Sequence, residues 1–109
     1  MSQIKPDQHQ QYMQTASELL NAMANATRLA ILSILSENEL SVGALCNQIG
    51  ITQSALSQHL TKLRMAGLVS TRRKSQMIYY RCDTLSVKRV LALLSEIFTP
   101  ERAPVTNAA

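Results

Sequence analysis

Residues 52–64 read Thr-Gln-Ser-Ala-Leu-Ser-Gln-His-Leu-Thr-Lys-Leu-Arg. At the helical period of about 3.6, Leu56, Leu60 and Leu63 form one apolar stripe, and Thr52, Gln53, Ser54, Ser57, Gln58, Thr61 and Lys62 lie off it. The outer face carries no acid. Gln53 and Gln58 each offer a donor and an acceptor together, as adenine's major-groove edge requires. Ser54 and Ser57 are small enough for a helix to approach bases or phosphates. An ordinary solvated helix more often carries Glu and Lys at i,i+4 spacing. An apolar back with an amide and hydroxyl front predicts a DNA-reading helix over residues 52–66.

The flanking sequence supplies its context. Ser41 offers an N-cap ahead of Val42, Leu45 and Ile49, Gly50 suits a left-handed helix end, and Thr52 caps the helix that follows. A short helix, the turn Ile49-Gly50-Ile51-Thr52 and a second helix with a polar face make a helix-turn-helix pattern. Gly67 closes the second helix. Residues 68–72 and 77–81 are rich in β-branched and aromatic types and flank Arg73-Lys74-Ser75-Gln76, which predicts a hairpin with a basic tip. Such a hairpin is a wing, and Arg72, Arg73 and Lys74 suit the minor groove or flanking phosphates. A solvent loop protected by basic residues is the plainer alternative.

Upstream, Tyr12, Ala16, Leu19, Leu20 and Met23 predict an amphipathic helix from about 9 to 24. Asn25 caps a second helix made apolar on most sides by Leu29, Ile31, Leu32, Ile34 and Leu35, ending at 37–39. Downstream, Val87, Val90, Leu91, Leu94 and Phe98, widened by Leu93 and Ile97, predict a last helix from about 85 to 98. The fold class is mainly α with a small β-hairpin wing, in the order α-α-α-α-β-β-α. The last helix has more apolar surface than a core this small needs, so it and the first helix are the expected two-fold dimer interface. Residues 1–9 and 100–109 are expected to be disordered tails around one domain, 10–99.

The 109 residues hold eleven Lys and Arg against seven Asp and Glu, and the distribution says more than the total. Between Lys62 and Arg89 stand eight basic residues and one acid, Asp83. Positive charge clustered on one half of a small domain favours nucleic acid. A membrane surface is less favoured, because no basic stretch carries the large apolar aromatics of an interfacial helix. Neither a spanning run nor a signal peptide is visible, so a cytoplasmic location is expected. Cys46 and Cys82 are too few and too far apart for a disulfide scaffold or a CxxC-type metal motif. Two histidines and no nucleophile-base spacing argue against an enzyme.

The words Ala-Met-Ala-Asn-Ala-Thr-Arg-Leu-Ala-Ile-Leu (22–32), Glu-Leu-Ser-Val-Gly-Ala-Leu (39–45) and Gln-Ser-Ala-Leu-Ser-Gln-His-Leu-Thr-Lys-Leu-Arg (53–64) occur in one order with the predicted elements. In that order they resemble the ArsR/SmtB family of bacterial winged-helix repressors, over about residues 15–98. Gln-Ser-Ala-Leu-Ser-Gln-His-Leu and Leu-Val-Ser-Thr-Arg-Arg look closest to its NolR and HlyU branch. The resemblance implies a homodimer on a palindromic double-stranded operator. Thr52, Gln53, Ser54, Ser57, Gln58 and His59 would then face the groove, with the wing on phosphates or in the minor groove; Thr61, Lys62 and Arg64 join the DNA-binding set from their place on or beside the polar face. For His59 a half-buried helix residue bonded to its neighbours is the equal alternative, and Arg64 can grip phosphate or pair with an acid.

The family's sensing residues are not matched. Thiolate metal sensors carry cysteines in the word that here reads 39–45, which has none. The last-helix site of other members uses carboxylates and histidines, and here only Asp83 and Glu96 are near, without a histidine. Persulfide sensors place cysteines where this chain has Ser33 and the 99–100 region. No cofactor, metal or effector is read from the sequence. The rival readings are a metal- or thiol-responsive sensor with a relocated site and a winged-helix module that binds protein instead of DNA.

Overall fold

The computed structural model describes residues 6–99. Five helices and three short strands follow in order: α1 (Pro6–Met23), α2 (Ala26–Glu37), β1 (Leu40–Ser41), α3 (Val42–Ile49), α4 (Gln53–Met65), β2 (Ser70–Lys74), β3 (Met77–Arg81) and α5 (Leu85–Phe98). α1 begins at Pro6 instead of about residue 9, because proline is tolerated in a first turn and Asp7 there complements the helix dipole. The remainder of the expected tails, residues 1–5 and 100–109, lies outside the described residues.

Local chemistry starts and stops the helices. The side-chain oxygen of Asn25 accepts from the Arg28 amide at 3.0 Å, that of Ser41 from Ala44 at 3.2 Å and that of Thr52 from Ala55 at 3.1 Å. Each satisfies an amide that the helix cannot pair internally. α3 ends on Gly50 at φ 83°. α4 ends in a full Schellman motif: Gly67, at φ 76°, donates to Arg64 at 2.9 Å, and Leu68 donates to Leu63 at 2.9 Å. Leu68 thereby drops into the core.

α2 is central and touches α1, α3, α4, α5 and β3. Its Ile31, Leu32 and Leu35 are buried with Leu45 of α3, with Leu56, Leu60 and Leu63 of α4, with Val87 of α5, and with Leu68, Val69 and Cys82 from the segments flanking the hairpin. Each fully buried leucine contributes about 2 kcal/mol. The apolar stripe of α4 is thus the side that fastens it to the body.

The sheet differs from a plain hairpin. β1 pairs antiparallel with β3 (Leu40↔Tyr80, Ser41↔Tyr79), giving the order β1-β3-β2. A strand of two residues has no periodicity to read, and by sequence Leu40 and Ser41 do no more than lead into a cap. The hairpin register runs from Ser70↔Arg81 to Lys74↔Met77, so the loop is Ser75-Gln76 and not the four residues expected. Ser75 takes φ 59°, the left-handed value that two-residue hairpin turns need at their first position. Arg73 and Lys74 therefore belong to a strand, whereas Leu68 and Val69 are core residues ahead of it. Among the described residues no single helix is long and apolar enough to cross a membrane.

Candidate nucleic-acid interface

With Leu56, Leu60 and Leu63 turned inward, α4 exposes Gln53, Ser54, Ser57, Gln58, Thr61, Lys62 and Arg64, with Thr52 exposed at its cap. Helical spacing puts Ser54, Gln58, Thr61 and Met65 on one outward stripe, with Gln53, Ser57 and Arg64 along one flank. Met65, 85% exposed, is a member of this face that sequence reading misses. Its side chain also lines a cleft with Tyr12, Leu19 and Leu68, so it borders α1 as well as the polar stripe. The Thr52 hydroxyl already accepts from Ala55, and its proton remains available to a phosphate.

His59 is half-buried on the other flank of α4, with Nδ1 3.5 Å from a guanidinium nitrogen of Arg28. The structure thus supplies the neighbour-bonded environment that is one of the two readings of this residue. The partner is one that sequence reading passes over. By sequence Arg28 is only a residue of the α2 first turn, and the available signal is an arginine set within an otherwise apolar helix.

The three basic wing residues do not make one patch. Alternation along the strand places Arg72 and Lys74 on the face shared with Tyr79, and Arg73 on the face of Ile78 and Tyr80. Arg72 Nε donates to Glu39 Oε2 at 2.7 Å, and its guanidinium carbon lies 5.6 Å from the centroid of the Tyr79 ring. The hydrogen bond from Arg72 lowers the Glu39 pKa from its ordinary value and raises that of Arg72. Arg72 is therefore committed to an acid that sits just before β1. Arg81 is likewise paired, to Asp83 at 2.9 Å. Lys62, Arg64, Arg73 and Lys74 have no acid partner among the described residues. Unpaired positive charge thus sits at the C-terminal half of α4 and the outer half of the hairpin, and also at Lys88 and Arg89 on α5.

Residues 25–71 match the family model of bacterial regulatory proteins of the arsR family. The nodulation protein NolR of Rhizobium meliloti is 47% identical over 98 residues, covering 90% of this chain and 80% of its own length. The transcriptional activator HlyU of Vibrio cholerae is 49% identical over 80 residues, covering 73% of this chain and 74% of its own. This chain belongs to the arsR family. The crystal structure of NolR from Sinorhizobium fredii superposes with a TM-score of 0.80 at 50% identity, over 90% of this chain and 97% of that one. The homodimeric winged helix-turn-helix DNA-binding domain of Mb0332 from Mycobacterium bovis superposes with a TM-score of 0.74 at 31% identity, over 84% of each chain.

As an arsR-family member the chain is a DNA-binding transcriptional regulator and not an enzyme. Both of its cysteines are free, Cys46 half-buried and Cys82 buried. Burial raises the Cys82 thiol pKa above its ordinary value, which keeps it protonated and poorly nucleophilic. Among the described residues no group of three His, Cys, Asp or Glu side chains is arranged to hold a metal ion.

Proposed function

We propose that this arsR-family regulator is a cytoplasmic repressor that binds a palindromic operator as a homodimer, with α4 in the major groove of each half-site. The observation that carries the reading is the exposed, acid-free stripe of Ser54, Gln58 and Thr61 on a helix whose opposite side is wholly core. Gln58, in the middle of that stripe, takes the base-reading role; its amide suits the paired donor and acceptor of adenine. Gln53, Ser54, Ser57 and Thr61 surround it, while Thr52, Lys62 and Arg64 hold the backbone. Arg73 and Lys74 of the wing reach flanking phosphates or the minor groove.

Dimerisation follows from surface that a monomer has no reason to expose. On α5, Leu93, Ile97 and Phe98 are 53%, 53% and 71% exposed, and on α1 Tyr12, Met13 and Leu20 are also exposed. These two helices form the dimer interface. A second reading helix doubles the contacts that one short helix makes.

Selection of bound duplex from random oligonucleotides tests the proposal. An inverted repeat with half-sites about one or two helical turns apart is expected. Enrichment of an unpaired half-site, or none at all, would overturn the dimeric reading mode.

A further inference from the structure

Arg28 is the one charged side chain buried among the described residues, at 9% exposure, and it meets three helices. It belongs to the first turn of α2. Its Nε donates to the Ala22 carbonyl at 2.6 Å and its Nη2 to the Asn21 carbonyl at 3.3 Å, both in the last turn of α1. A cation there also offsets the negative end of the α1 dipole. Its remaining nitrogen, Nη1, lies 3.5 Å from Nδ1 of His59 on α4.

A guanidinium has five N–H donors, no acceptor and no accessible neutral form. An imidazole with its proton on Nδ1 would set donor against donor at that contact. Of the two neutral tautomers, only the one with the proton on Nε2 lets Nδ1 accept from Arg28. The other two bonds of the fork keep the guanidinium from moving away. We propose that Arg28 is a positioning residue for DNA binding: it holds the ring of His59 with Nε2–H as the outward donor, and that donor engages a phosphate oxygen beside the reading helix.

A phosphate is the partner because His59 stands on the flank of α4, next to the core leucines Leu56 and Leu63 and well around the helix from Ser54, Gln58 and Thr61. The floor of the groove faces the stripe, and a strand backbone passes the flank. The proposal rests on the placement of α4 in the major groove. It adds that a side chain of α2, which makes no DNA contact, decides which proton His59 presents.

A double-mutant cycle on DNA affinity tests the coupling, with thermal melting to confirm that each variant folds. His59→Phe removes the donor and should weaken operator and non-specific duplex alike, by about three- to tenfold. His59→Gln, whose amide can donate, should recover most of that loss. Arg28→Lys retains a cation for the α1 carbonyls but lacks the fork that also reaches His59, and should reproduce a part of the His59→Phe loss, set by the fraction of rings that no longer present Nε2–H. In the His59→Phe background it should add little. Additive losses would show that Arg28 acts on the fold alone and would overturn the proposal. Long-range proton–nitrogen correlation spectra of the DNA-free wild type provide the independent readout. They should place the His59 proton on Nε2, with a mixed population in the Arg28→Lys variant. A proton on Nδ1 in the wild type would equally overturn the proposal. Should the wild type bind no duplex, the DNA reading and the phosphate role fall together, and the spectra still decide whether Arg28 sets the tautomer.

Discussion

At the scale of single residues, Gln58 and the wing cations are expected to fail in different ways. Gln58→Ala removes a paired donor and acceptor from the middle of the exposed stripe, so specific binding should fall by about 1–3 kcal/mol with little change on random duplex. Parallel titrations on operator and non-specific DNA measure this, and equal losses would mean that the side chain reads no base. Charge removal at Arg73 or Lys74 should instead lower the slope of log affinity against log salt by about 1 for each phosphate no longer neutralised. By sequence alone Arg72 belongs with these two. The Glu39 carboxylate and the Tyr79 ring hold its guanidinium, so Arg72→Gln should leave the salt slope nearly unchanged while altering where the wing sits. A slope change equal to that of Lys74→Gln would return Arg72 to the phosphates. The basic types were legible in the chain, but their availability was not, because Arg72 and Glu39 stand 33 positions apart.

At the scale of elements, the wing depends on an anchor and a turn. The Glu39–Arg72 pair joins the hairpin to the segment entering β1, beside the two-residue pairing Leu40↔Tyr80 and Ser41↔Tyr79. Because the folded-state pKa of Glu39 is depressed, the anchor is complete above the ordinary carboxylate value. It is lost as pH falls below the ordinary carboxylate value and through the lowered folded one. Chemical shifts of β2 and β3 amides should move in that window in the wild type and stay flat in Glu39→Gln; identical titrations would remove the anchor from the wing. Gly67 supplies the other local constraint. Beyond its chain neighbours no heavy atom lies within 4 Å of a Cβ built there, so Gly67→Ala has only the left-handed backbone at φ 76° to oppose it. A loss of about 1 kcal/mol in chemical denaturation is expected, and no loss would mean that the Schellman turn relaxes freely. The caps at Asn25, Ser41 and Thr52 were readable because a cap acts on an amide three residues away. β1 was not, since a pair of residues becomes a strand only when another strand comes to rest beside it.

At the scale of the whole molecule, the exposed apolar residues of α1 and α5 govern assembly. Leu93→Glu changes a side chain already 53% exposed, so the monomer fold should persist while the dimer dissociates. Sedimentation should show a monomer, and affinity for a palindromic duplex should fall at least tenfold toward that for a half-site. An unchanged sedimentation coefficient would move the interface away from this part of α5. Local patterning in the chain set the order and kind of the helices, their caps, the inward stripe of α4 and the polar face opposite it. These are written in interactions between residues one to four apart, where spacing alone determines which side chains share a face. Tertiary packing settled which polar groups on those faces are free to act. It set Arg28 against His59, 31 positions along the chain, and Arg72 against Glu39, 33 positions along it. Such pairings depend on where whole elements settle around α2, and no local period records them.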